Sequence, residues 1–240
     1  MLLDRIIDLS GPLPESLSDF NYILTSCGRE VVELTDDGEF MEHKARKFIL
    51  SSINNSLGVD NWKVLDVYRN SRQCEQVDLI DLLDVIPGSG SLQEATDYSP
   101  VYCISADALV DGTNTYNATL KIYPEISSSD TGEIFYIMLP KFGAGGIDIN
   151  SINSLEDDLI NSNYDYWTFV MERAFIVRVA MKILHIRLTE TNIEEEDAEI
   201  SQLVQSSMQS LLEEWALLKS LLAGYNEEDA QKWKSLGGGE

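Results

Sequence analysis

A run of six apolar residues, Ile134 to Leu139, constrains the fold more than any other stretch of the chain. It predicts a strand, and side chains alternate between the two faces of a strand. A strand that is apolar on both faces is covered on both sides. The cover is either another part of this chain or a neighbouring subunit. One face carries Ile134, Tyr136 and Met138, and the other carries Phe135, Ile137 and Leu139.

A shorter strand-like run, Leu120 to Tyr123, precedes this strand across a serine-rich connection. Each run is followed by a proline, Pro124 or Pro140, and proline stops strand pairing because it has no N–H to donate. The pattern predicts a hairpin near residues 120–140. We expect its tip, Ser127 to Gly132, to project from the surface.

Helical periodicity dominates both ends of the chain. Apolar residues between Leu17 and Leu34 alternate three and four apart, which predicts an amphipathic helix. Gly28 lowers the stability of that helix. It either marks a place where a neighbouring segment approaches the helix closely or has no structural role. Tyr164 to Leu188 is the most apolar segment and predicts a central buried helix, and a last long helix spans roughly Asp197 to Leu222.

The middle of the chain is richer in β-forming residues. Trp62 to Arg69 alternates and predicts a strand, whereas residues 40–56 are ambiguous and are expected to be part helical. The segment VDLIDLLDVI fits either a short helix or an irregular loop. We therefore predict an α+β fold, mainly α, in which a helical bundle of N- and C-terminal helices carries a small antiparallel β insert and an extended C-terminal tail. The predicted parts are a helical core of residues 1–56 and 148–225, the β insert 57–147, and the tail 226–240.

Charge restricts the partners. The formal net charge of −24 comes from 41 acidic and 17 basic residues. Since affinity for DNA comes mainly from Lys and Arg displacing counterions, stable wrapping of nucleic acid is not expected. We also expect no membrane partner, because no uncharged apolar run reaches the roughly 18 residues that a spanning helix needs. No signal peptide is expected either, because the N-terminal segment carries Asp4 and Asp8.

Residue types that support catalysis are scarce. A nucleophile system would need His43 or His185, and the first lies in a polar stretch while the second lies in the predicted buried helix. The three cysteines form no CxxC pair, which favours buried free thiols. The acidic segment around Glu194 is explained by solvation and the helix dipole, although weak cation binding stays open. We predict no catalytic, cofactor-binding or metal-binding residue and no cofactor, while an enzyme that uses carboxylates stays a minor alternative.

Four segments occur in a recognisable order: LSDFNYILTSCGREVVELTD, KVLDVYRNSRQCEQV, GSLQEATDYSPVYCI and LKIYPEISSSDTGEIFYIMLP. The hydrophobic helix from Tyr164 and the final long helix with its polar tail follow them. This order resembles the head-to-tail adaptor, or connector, proteins of tailed bacteriophages. The resemblance covers roughly residues 17–225, with gaps.

The resemblance implies a non-enzymatic virion protein of the head-to-tail interface, assembled in the host cytoplasm. Such adaptors form a homo-oligomeric ring of about twelve copies. The implied partners are the portal protein, a downstream tail or neck protein, and further copies of the chain. Genomic DNA would pass through the ring without specific binding.

The resemblance also implies two contact regions. The C-terminal tail would dock on the portal through Tyr225, Trp233 and Leu236. The predicted hairpin would face a neighbouring subunit or the tail through Tyr123, Ser128, Asp130 and Phe135. The acidic composition leaves an alternative open, a soluble scaffold or chaperone-like interaction module that does not assemble into rings.

Overall fold

The computed structural model describes residues 1–14, 19–38, 44–50, 56–59, 61–91, 93–107, 117–159, 162–191 and 198–224. The chain divides into two compact units, which we call the helical unit and the sheet unit. The helical unit comprises Met1–Asp36 and Leu139–Glu240, and the sheet unit comprises Asp37–Met138.

The described residues form six helices and eight strands. The helices are α1 (Leu2–Ser10), α2 (Phe20–Leu34), α3 (Leu82–Val85), α4 (Leu155–Asp158), α5 (Phe169–Thr191) and α6 (Ala198–Leu222). The strands are β1 (Arg46–Leu50), β2 (Ser56–Gly58), β3 (Trp62–Arg69), β4 (Arg72–Gln73), β5 (Glu75–Gln76), β6 (Val101–Asp107), β7 (Asn117–Tyr123) and β8 (Gly132–Met138).

The prediction of a mainly-α helical bundle with a small β insert is wrong. The fold is α+β, with 42% of the described residues in helices and 22% in strands. The strands form two four-stranded sheets, β1-β8-β3-β4 and β2-β7-β6-β5. The β content was underestimated because β1 lies in a stretch expected to be part helical. The two-residue strands β4 and β5 are also too short to show a period.

The predicted hairpin does not form either. β7 pairs with β2 and β6, whereas β8 pairs with β1 and β3, so the two strands belong to different sheets. The connection 124–131 carries the chain from one sheet to the other and buries Ile126. A Cβ atom at Gly132 would lie 2.4 Å from Cδ1 of Ile126, so any larger residue where β8 begins would require the Ile126 side chain to move.

The two sheets share one hydrophobic core. Its buried residues come from both sheets, from their connections and from the loop after β2: Leu50, Val59, Val67, Cys74, Tyr102, Leu120, Ile122, Ile126 and Ile134. The rings of Trp62 and Tyr136 stack beside it, with centroids 3.6 Å apart. One face of β8 is therefore covered within the sheet unit itself, by the second sheet.

The helical unit is built around α5, which packs against α1, α2 and α6. Its residues from Ala174 to Val177 are fully buried, as expected for the predicted central helix. Two of its arginines reach neighbouring helices: Arg173 binds Glu214 of α6 at 2.6 Å and Arg178 binds Glu30 of α2 at 2.8 Å. The chain's scarce positive charge is thus used in part to join α5 to the helices around it.

Helix α2 is amphipathic as predicted, because Leu24, Cys27 and Val31, which follow the apolar spacing of three and four, are all fully buried. The helix starts at Phe20, and the Asp19 carboxylate caps it by accepting the N–H of Tyr22 at 3.0 Å. A Cβ atom on Gly28 would lie 3.0 Å from Cγ of Pro140, so this glycine marks a close approach.

Candidate interaction surface

On its second face β8 buries Ile137, which is only 1% exposed. The end of that face near Glu133 and Phe135 belongs to a surface that we call the outer face, made of Lys47, Ile49, Tyr68, Glu133 and Phe135. Lys47 stands opposite Phe135 across the β1–β8 ladder, and Ile49 stands opposite Glu133. Tyr68 stands opposite Glu133 on the other side of β8. Because side chains that face each other across strands share one face of the sheet, these five residues form one surface.

The polar side chains of the outer face bind one another, whereas part of its apolar surface stays exposed to solvent. Nζ of Lys47 pairs with Oε1 of Glu133 at 2.5 Å and lies 5.9 Å from the centre of the Phe135 ring. The Tyr68 ring meets Phe135 edge-on at 5.7 Å, and a hydrogen bond with Asp66 raises the pKa of the Tyr68 hydroxyl. Phe135 nevertheless stays only partly buried, and Ile49 is 62% exposed.

Ile49 and Lys47 were not among the predicted contact residues. Their segment, ARKFIL, follows charged residues and gave no clear period. The two-sided apolar run of β8 predicts that both faces of the strand are covered, but it does not specify which strands pair with its edges. β1 supplies one of these strands and lies at the edge of the sheet.

The structure separates the four residues predicted for the hairpin. Tyr123 is half-buried at the end of β7 and packs against a small cluster that contains Val85, Ala95 and Val101. Ser128 is exposed in the connection 124–131. Phe135 lies on the outer face, and Asp130 is held in a polar network.

That network ties the connection to the turn between β3 and β4. Asn70 and Ser71 form the turn with φ of 50° and 64°, as a tight two-residue hairpin turn requires. Arg69, only 4% exposed, donates to Asp97 at 2.6 Å and to Asp130 at 2.9 Å. Asp130 also accepts hydrogen bonds from Ser127 and Asn70, and together these donors hold the pKa of its carboxyl well below the ordinary value. The predicted free tip is therefore anchored.

Several predicted positions lie outside the described residues. These are Tyr225, Trp233 and Leu236 of the predicted docking tail, together with His43 and the acidic segment around Glu194. His185 is described and is exposed on α5, although a buried position was expected.

The cysteines are buried thiols. Burial raises the pKa of Cys27 and of Cys74 to about 12, so both stay protonated near neutral pH. In the described part of the chain, no cluster of three or more His, Cys, Asp or Glu side chains could hold a metal ion. No helix among the same residues is both long enough and apolar enough to cross a membrane.

Comparison of the chain with models of protein families and with curated proteins found no match.

Proposed function

We propose that this chain is a non-enzymatic virion structural protein, a head-to-tail adaptor. Its copies would form a ring that joins the portal to the tail and continues the DNA channel. The order of segments that resembles such adaptors supports the assignment. The structural observation that carries it is the outer face, where Ile49 and Phe135 expose apolar area on a strand pair at the edge of a sheet.

An exposed apolar edge strand favours contact with another chain. In a ring, each subunit uses two different surfaces, so the outer face need not complement itself. Burying the exposed part of Ile49 would contribute about 1 kcal/mol for each subunit contact. A closed ring repeats that contribution at every interface, and the paired Lys47 and Glu133 would limit the orientations in which a neighbour can dock.

Charge supports a channel protein. A net charge of −24 disfavours phosphate contacts, and each Lys–phosphate contact in a channel would retard the passage of DNA. An acidic ring would therefore let the duplex slide through it.

The test measures particle size by native mass spectrometry and negative-stain imaging, with and without the purified portal protein of the same phage. We expect rings of about twelve subunits, alone or on the portal. Ile49→Asp should abolish them, because it places a charge in the apolar contact. Leu203→Asp is the matched control, since Leu203 is 70% exposed on α6 and lies in the helical unit. A wild-type chain that stays monomeric with portal present would overturn the proposal, as would rings of unchanged size from Ile49→Asp.

An acidic groove in the sheet unit favours a second function, a scaffold or chaperone-like interaction module without ring assembly. Glu75, Asp78, Asp81 and Glu94 line this groove. Such a module would stay monomeric in the same measurement and would bind a basic protein. The size measurement therefore separates the two functions.

A further inference from the structure

We infer that the segment Asp78 to Asp84, together with the groove beside it, docks a basic amphipathic segment of a partner protein. The groove is the concavity lined by Glu75, Asp78, Asp81 and Glu94. The partner segment would place apolar side chains on the aliphatic residues of Asp78 to Asp84 and lysine or arginine side chains in the groove. This docking surface is distinct from the outer face, and the inference does not depend on ring assembly.

Three large aliphatic side chains are exposed within five positions of this segment. Leu79 is 57% exposed, Ile80 89% and Leu83 76%. Single exposed aliphatic residues are ordinary, but a contiguous group of them marks an interaction site. The segment DLIDLLD alternates aspartates with aliphatic residues, so the same short stretch supplies apolar and negative surface.

The segment is held from its other side. Val85 is buried with Ala95 and Val101, and Leu82 packs against this cluster. The carbonyl of Val85 accepts the N–H of Ala95 at 2.7 Å. Val85 and Leu82 therefore anchor the segment to the rest of the sheet unit. Leu79, Ile80 and Leu83 take no part in this anchoring and stay exposed.

The groove has a volume of about 710 Å³, which lies within the range of sites that enclose side chains or small ligands. Valines contribute to its apolar walls, among them Val77 and Val101. Glu75, Asp78 and Asp81 make no ion pair with any lysine or arginine of the described residues. Glu94 instead accepts the N–H of Gly90 at 2.5 Å and fixes the loop that borders the groove.

Charge complementarity selects the occupant. Four carboxylates around one concavity repel phosphate, so nucleic acid and anionic lipid are disfavoured. A second copy is disfavoured as well, because it brings a net charge of −24. A basic segment gains from both halves of the surface: its cations are attracted to the groove and its apolar residues cover the aliphatic group.

The experiment measures binding of two labelled peptides to the full chain by fluorescence anisotropy at two salt concentrations. One peptide alternates lysine with leucine, and the other has the same lysines separated by serine. We expect the lysine–leucine peptide to bind roughly tenfold more tightly than the lysine–serine peptide. Equal affinities would overturn the inference, because they would mean attraction by net charge alone.

Two variants test the two halves of the surface. The triple change Leu79→Ser, Ile80→Ser and Leu83→Ser should cost roughly tenfold in affinity for the lysine–leucine peptide only. Asp78→Asn with Asp81→Asn should weaken binding of both peptides. Glu33→Gln with Glu213→Gln is the matched control, because it removes the same charge from exposed positions of the helical unit. Thermal melts of all variants confirm folding.

Two further outcomes would count against the inference. If the control pair weakens binding as much as the groove pair, the groove has no specific role. If the triple serine variant abolishes self-association or ring formation while leaving peptide affinity unchanged, the occupant is a second copy. Retained rings together with lost peptide binding would support the docking surface separately from the adaptor function.

Discussion

Asp130 accepts hydrogen bonds from three residues, and each of them stabilises its charged form. Ser127 donates its hydroxyl at 2.6 Å and its N–H at 3.0 Å, Asn70 donates at 2.7 Å, and Arg69 donates at 2.9 Å. These donors lower the pKa of the Asp130 carboxyl, with the Ser127 hydroxyl as the largest cause. The carboxylate thereby holds the connection 124–131 against the turn between β3 and β4.

Asp130→Asn should destabilise the chain in a pH-dependent way. A carboxyl whose pKa is lower in the folded state stabilises that state fully above its unfolded pKa of about 4. That contribution falls as the pH drops below about 4, toward the folded pKa. The variant should therefore melt at a lower temperature than wild type at pH 7, and the difference should shrink toward pH 3.

Thermal melts between pH 7 and pH 3 measure this difference. Glu125→Gln is the control, since Glu125 is exposed in the same connection. A difference between wild type and Asp130→Asn that stays constant with pH would contradict the assigned role.

Regular apolar spacing predicted which residues of α2 are buried, and other residue-level features were predictable where the pattern itself broke a rule. Gly28 interrupts a helix, and the structure shows Pro140 and Phe142 close to it. Arg69 breaks no rule, because an arginine at the end of a strand usually reaches water. Its burial depends on ion pairs with Asp97 and Asp130, which are distant in sequence. A local sequence pattern does not predict such distant partners.

At the scale of elements, the short helix α4 depends on a carboxylate from α5. Oε2 of Glu172 accepts the hydroxyl of Ser154 at 2.8 Å and the backbone N–H groups of Leu155 and Glu156. Its other oxygen pairs with Arg5 of α1. The first N–H groups of a helix lack partners within the helix, so this buried side chain satisfies them from outside.

Glu172→Ala should lower the free energy of unfolding by about 3 kcal/mol, because buried N–H groups at the start of α4 lose their acceptor. Glu172→Gln should cost less, since an amide oxygen still accepts hydrogen bonds although it cannot neutralise Arg5. Denaturation in urea, followed by circular dichroism, measures both changes. Glu33→Ala serves as control, because Glu33 is exposed on α2. Equal losses for Glu172→Ala and Glu33→Ala would show that the contacts of Glu172 contribute little.

Elements with a strong period were predicted well, and their pairing was not. The predicted strand Trp62–Arg69 coincides with β3, whereas α2 and α5 begin three and five residues after the predicted starts at Leu17 and Tyr164. β7 and β8 were also located, but their proximity in sequence suggested a hairpin. In the structure β7 pairs with β6 and β2, whereas β8 pairs with β3 and β1. Sheet membership depends on burial of Ile122 and Ile134 in one core, which the alternation of a single strand does not specify.

At the scale of the whole molecule, the sheet unit presents two different surfaces. The outer face combines exposed apolar area with a paired Lys47 and Glu133. The segment Asp78 to Asp84 combines exposed aliphatic residues with carboxylates that make no ion pair among the described residues. Only the first suits contact between identical acidic chains, because only there is the negative charge already neutralised. Ring assembly and recognition of a basic partner would therefore use separate surfaces and could occur together.

We propose that portal attachment uses a third region, the C-terminal tail. Helix α6 ends at Leu222, which is buried and whose carbonyl accepts the N–H of Asp36 at 2.8 Å. A chain truncated after Tyr225 keeps these contacts. We therefore expect deletion of residues 226–240 to leave circular dichroism and the thermal melt nearly unchanged while abolishing portal attachment.

Point substitutions test whether Trp233 and Leu236 are the residues of the tail that bind the portal. Trp233→Ala with Leu236→Ala should weaken portal binding roughly 100-fold, since large apolar anchors carry most of the energy of an interface. Ser235→Ala is the matched control in the same tail and should bind as wild type does. Surface-immobilised portal protein measures these affinities, and native mass spectrometry checks that each variant still forms rings. A truncated chain that joins the portal with wild-type affinity would refute the docking role of the tail, whereas loss of rings would assign the tail to subunit assembly instead.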